Sequence, residues 1–233
     1  METPSEDWAE AAEARVLDAA LPLAVELGWS RVLVERAAKA AGLSAADATL
    51  LAPNGPRDLA ALLSKRHDQT ALAALGAPEG GMTGKIRRAV LARVEAAAGD
   101  EAAVRRALAF TVLPRNLPLA FTLLWESADA LWRWAGDTST DENHYSKRAI
   151  LSAVLAGTLA ARFREGPQAA EADLDVQLGR VMAFEKWKAK AAPRPLETMK
   201  QIAGALARLR YGPREAEPEL LTAAPRQLGG PSA

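Results

Sequence analysis

Apolar residues recur along this chain at intervals of three and four, the spacing that gives a helix one buried face. Leu17, Ala20, Leu21, Ala24 and Leu27 form the first such stripe, and Gly28 closes it, predicting a helix of about five turns. Val32 to Ala41 predicts a short second helix and Gly42-Leu43 a tight turn, with Ser44 as the N-cap of a third helix reaching Leu51. A long helix starts near Arg57. Farther on, Leu119, Leu123, Leu124, Ala128, Leu131 and Trp132 make a broad stripe, and Ile150, Leu151, Val154, Leu155, Thr158 and Leu159 another. The β-branched and aromatic runs that mark strands are missing from the sequence, so the predicted class is all-α, with roughly ten helices between Gly and Pro breaks.

The run Gly76 to Gly84 is the best candidate linker. It divides a bundle over residues 8–76 from a larger helical domain over 84–190. Pro193 and Pro195 then isolate an amphipathic helix within 191–211, and the Pro- and Gly-rich residues 212–233 predict a disordered tail.

Charge and composition narrow the chemistry. Lys plus Arg and Asp plus Glu both total 29, so no global imbalance steers the molecule to nucleic acid or an anionic surface. There is no cysteine, which excludes disulfides, thiolate metal sites and a cysteine nucleophile. The acidic N-terminus reads as neither signal nor transit peptide, and no stretch reaches the ~18 apolar residues of a membrane span. The expected location is therefore cytoplasmic, with membrane contact only peripheral.

The order of long helix, short helix, glycine turn, short helix and long helix over the first 65 or so residues resembles the DNA-binding end of TetR-type regulators. A reading helix needs Arg, Asn or Gln at base edges and Lys or Arg at phosphates. Ser44-Ala-Ala-Asp-Ala-Thr-Leu-Leu-Ala52 has none of these and offers one carboxylate instead. Arg57, Lys65 and Arg66 lie nearby but read as a solvated face. No nucleic-acid partner is expected.

The most specific run begins at Trp132-Arg133 and continues through Gly136-Asp-Thr-Ser-Thr-Asp141 to Asn143, Tyr145, Arg148 and Ile150-Leu151. It looks like the signature of the ubiquinone biosynthesis lipid-binding proteins of the Coq-nine type. Leu17 to Pro22, Gly28-Trp29-Ser30, Asp58-Leu-Ala60 and Arg105 to Pro114 extend the resemblance over roughly residues 15 to 190. It implies a TetR-like fold without DNA binding, a larger domain that holds an isoprenoid lipid or phospholipid, and assistance to the demethoxyubiquinone hydroxylase. The expected assembly is a homodimer held peripherally at the inner membrane, with no cofactor of its own. A ligand-responsive TetR-family regulator is the alternative.

The resemblance also assigns residues. Stripes of this kind are usually filled core, but a lipid cavity between them would be lined by Leu123, Leu124, Leu131, Trp132, Ile150, Val154 and Leu155, with room left by alanines and Gly157. Asp141, Asn143, His144, Tyr145 and Arg148 are expected at the hydroxylase-facing surface, Tyr145 and Arg148 as its anchors. Glu142 and His144 depart from the large aromatics usual in the family there. The acids of this segment equally suit a helix start, with Ser139 and Glu142 at capping-box spacing. Leu196, Met199, Lys200, Ile202, Leu206 and Leu209 form a basic amphipathic face for an anionic membrane, or an ordinary packing face. His67 and His144 lack metal-ligand spacing and read as surface or capping residues, and neither the acid pairs Asp137/Asp141 and Asp173/Asp175 nor any motif demands catalysis, so no enzyme is predicted.

Overall fold

A computed structural model describes residues 6–140 and 142–191, and these are α-helical with one 3-10 turn. The α-helices are α1 (Glu6–Leu27), α2 (Arg31–Ala40), α3 (Ala45–Leu51), α4 (Pro56–Leu75), α5 (Met82–Gly99), α6 (Glu101–Thr111), α7 (Leu117–Trp134), α8 (Glu142–Glu165) and α9 (Pro167–Ala191). The 3-10 turn, Pro114–Asn116, joins α6 to α7. The chain forms two compact units, Met1–Met182 and Ala183–Ala233. The second is described only at the end of α9, where Phe184 and Trp187 stack with ring centroids 5.9 Å apart. Everything below concerns the first.

Boundary chemistry behaves as the pattern predicts. Gly28 takes φ 63°, ending α1, and the Ser30 hydroxyl then accepts the Leu33 amide to start α2. Gly42, at φ 75°, closes α2: its amide returns to the Lys39 carbonyl at 3.1 Å, and that of Leu43 to Ala38 at 3.0 Å. Ser44 and Asp47 cap α3 reciprocally, each side chain accepting the other's backbone amide at 3.1 Å. The lone carboxylate of the would-be reading helix is thus engaged in capping, and its pKa is lowered by the Ser44 hydrogen bonds.

One apolar cluster runs through α1, α2 and α4 to α9, from Val16 through Leu59, Val90 and Leu155 to Leu174. The expected division between residues 76 and 84 is therefore not a packing boundary. Gly76, at φ 61°, turns the chain so that α4 and α5 pack along each other. Three arginines pin the bundle's surface: Arg66 pairs with Asp18 at 2.7 Å, Arg87 with Asp175 at 2.6 Å, and Arg57 donates to the Arg115 carbonyl at 2.6 Å. Arg57 and Arg66, read from sequence as solvated, are tied into the architecture.

Candidate functional site

Helices α4 to α8 enclose a cavity of about 400 Å³. Leu63, Val104, Leu108, Leu123, Leu124 and Leu159 supply its apolar wall, and the space exists because alanines face it: Ala60, Ala97, Ala107, Ala120, Ala156 and Ala160. A volume of this size is within the range of small-ligand sites. The hollow of about 460 Å³ between α2 and α3 is of different character, with Arg31, Glu35 and Lys39 on its rim.

One end of the cavity is polar. His67, only 4% exposed, approaches the Asp100 carboxylate with Nε2 at 3.0 Å. Burial, and then the charge of Arg93, lowers the imidazole pKa against the opposing pull of Asp100. The ring is consequently neutral near pH 7; the Asp100 carboxylate takes the Nε2 proton as a hydrogen bond, leaving Nδ1 as an acceptor. Arg93, 5% exposed, donates from Nε to Asp68 at 2.5 Å and from Nη2 to the Ser64 hydroxyl at 3.2 Å, while the Ser127 hydroxyl donates to the other Asp68 oxygen at 3.0 Å. Ser64, His67, Arg93 and Ser127 all line the cavity. The sequence reading of His67 as a surface or capping residue is corrected here. It repeats the Leu59-Leu63-Ala71 spacing of four on the buried face of α4, a signal present in the sequence.

The seven residues expected to line a lipid cavity divide. Leu123 and Leu124 do line it. Leu131, Val154 and Leu155 are buried in the packed cluster, and Trp132 and Ile150 cover its edge. The Trp132 indole donates to the Lys147 carbonyl at 3.1 Å. Gly157 does not provide ligand space either, since a Cβ there would sit 2.6 Å from Nε2 of Gln177 on α9.

The segment with the family signature joins α7 to α8, and its charges turn inward. Arg148, 2% exposed, donates from Nε to Asp129 at 2.5 Å and from Nη1 to Asp137 at 3.1 Å. Lys147 adds a second cation to Asp137 at 2.7 Å, and the Ser139 hydroxyl donates to the same carboxylate at 2.7 Å. Burial would raise the Asp137 pKa, but the hydrogen bonds from Lys147, Ser139 and Arg148 prevail and hold it well below the carboxylate range. Arg148 is therefore not a surface anchor: it is a buried clamp on the connection. Ser139 also joins that clamp, meeting Asp137 and Lys147.

Tyr145 remains 65% exposed, 6.2 Å from the Trp125 ring and edge-on to His144 at 5.2 Å. His144 is half-buried, its Nδ1 2.9 Å from the Ser139 carbonyl oxygen, and Asn143 is exposed. Asp141 and the membrane-facing set Leu196, Met199, Lys200, Ile202, Leu206 and Leu209 lie outside the described residues. Among the described residues no three His, Asp or Glu side chains converge as a metal site.

The COQ9 family model matches residues 117–185, which take in α7, α8 and the Arg148 clamp. Over 168 residues the chain is 33% identical to the ubiquinone biosynthesis protein COQ9-B, mitochondrial, of Xenopus laevis, covering 66% of this chain and 56% of that protein. These matches bear out the resemblance to COQ9-type ubiquinone biosynthesis proteins read from the sequence. It is also 31% identical over 149 residues to the human ubiquinone biosynthesis protein COQ9, mitochondrial, covering 60% of this chain and 47% of the relative. The chain spans about half the length of the curated COQ9 relatives it matches. The COQ9 model match begins at Leu117, so of the cavity's polar end it contains Ser127 but not Ser64, His67 or Arg93.

Proposed function

We propose that this protein is a non-catalytic accessory of ubiquinone biosynthesis that holds an isoprenoid intermediate in the α4–α8 cavity and presents it to the demethoxyubiquinone hydroxylase. The observation that carries this reading is an apolar cavity whose lining includes buried His67 and Arg93. Isoprenoid carbon suits the leucine and alanine walls. An uncharged ring oxygen, phenol or quinone, suits the polar end: Asp68 already balances Arg93, His67 is neutral, and Asp100 adds negative charge that would oppose a phosphate. The names of the relatives supply the pathway. The exposed Tyr145, with Trp125 behind it, is the proposed contact for the hydroxylase, since aromatic side chains of this kind dominate interface energetics. Peripheral attachment to the inner membrane through the amphipathic residues 196–209, and a homodimer, complete the proposal.

The test is mass spectrometry of lipids that co-purify with the full chain, alongside an Ala107→Phe variant that fills the cavity. An isoprenoid phenol or quinone on the parent and none on the variant is the expected result. Co-purification of the same lipid with a folded Ala107→Phe protein would move the site elsewhere.

A further inference from the structure

At the corner where α6 meets α7 the cavity's lining reaches Thr111, Val112 and Ala120, and the outer surface of that corner is apolar. Val112 both lines the cavity and is 64% exposed, and across the bend Phe121, 70% exposed, lies next to the lining residue Ala120. Leu113 and Leu117, between them in sequence, are each about 40% exposed. Large apolar side chains grouped at one site mark a contact surface rather than ordinary scatter.

Two further properties identify what covers it. From Ala102 to Trp125 the chain has no carboxylate, while Arg106 and Arg115 are exposed beside the apolar tip. Cations flanking inserted apolar side chains are the pattern of attachment to an anionic bilayer surface. The bend is also continuous with the cavity: α6 and the Pro114–Trp134 segment together are apolar enough for a membrane span, yet they meet at 98°. That angle suits a shallow dip into a bilayer, with the cavity behind it, and no single helix among the described residues is long and apolar enough to cross.

We infer that this corner is a membrane-contacting mouth: Val112, Leu113, Leu117 and Phe121 enter the surface of an anionic bilayer, and the cavity's ligand passes between Val112 and Ala120. The route rests on the reading of the cavity as a lipid site; the membrane contact does not. It is also separate from the contact proposed for residues 196–209.

Because the chain has no cysteine, a Phe121→Cys variant takes a single environment-sensitive fluorophore. With vesicles of phosphatidylcholine and cardiolipin its emission shifts to the blue and is quenched by brominated acyl chains, whereas a label at Val25→Cys on α1 stays aqueous. In a second experiment, Phe121→Asp slows uptake of a short-chain isoprenoid quinone from those vesicles roughly tenfold, as expected when a charge replaces an inserted side chain, while uptake from detergent is unchanged. An aqueous signal from residue 121 on vesicle-bound protein overturns the inference. So does a label shielded before vesicles are added, which would mean that the tail or a second copy covers the corner, and so does unaltered uptake by Phe121→Asp. If the parent protein takes up no quinone even from detergent, the lipid-site reading fails, and the quenching result still decides the membrane contact.

Discussion

The two ends of α7 solve opposite problems. At its C-terminal end, Asp129 shares the buried Arg148 with Asp137, and each charge there has a partner. At its N-terminal end, Leu117 and Phe121 are exposed, and Ala120 and Leu123 line the cavity. The first arrangement locks a connection in place. The second leaves apolar surface and volume unspent, which is where a ligand or a membrane has something to gain. A specific sequence motif can therefore mark a structural clamp, with the cavity beginning two residues away at Ser127.

The comparison breaks most readily at the clamp. Arg148→Met removes the buried cation shared by Asp129 and Asp137, leaving only the more exposed Arg133 and Lys147 beside them, and should destabilise the protein by about 3 kcal/mol in urea unfolding. A loss under 1 kcal/mol would mean that the connection does not need its buried charge. At the other end, Ala107→Phe should cost only about 1–3 kcal/mol, because the added ring enters existing space, and yet remove the bound lipid. A larger loss would show that the cavity is too rigid to accept a ring.

The third expectation concerns pH. The folded His67 pKa is depressed below the 6.5 of free imidazole, so the unfolded chain binds the proton more readily. Stability from the neutral ring is complete above that value and is lost as pH falls through it. Asp137 follows the same sign at more acidic pH, its contribution present above the 3.8 of a free carboxyl and lost below. Melting temperature should thus fall between about pH 7.5 and 5.5, and fall less in His67→Gln; equal slopes would place the titration on another group. The smallest stability effect is expected for Tyr145→Ala, within about 0.5 kcal/mol, while hydroxylase pull-down is lost. Retained pull-down would shift the partner surface off α8.

Local signals in the sequence were strong enough to place Gly28, Gly42, Ser44 and the Gly136 break, because caps and left-handed turns depend on neighbours within five residues. The all-α class followed from the same spacing. The orientation of Arg148 did not, since its carboxylates lie 19 and 11 residues away and nothing local distinguishes a buried arginine from a solvated one. Of the residues on the two helical stripes expected to hold a lipid, Leu123 and Leu124 line the cavity. The stripes missed α4, α5 and α6, which bring His67, Arg93 and Val104 to the same cavity from 20 to 60 residues upstream. A stripe says which face is buried and never says against what.

Helix α4 joins these observations mechanically. Its first turn holds the α6–α7 corner through Arg57, which grips the Arg115 carbonyl and, at 3.2 Å, the Asn116 side chain. Two to three turns along the same rigid rod, Ser64, His67 and Asp68 form the cavity's polar end. One guanidinium therefore ties the corner to the same helix that carries the polar groups lining the cavity.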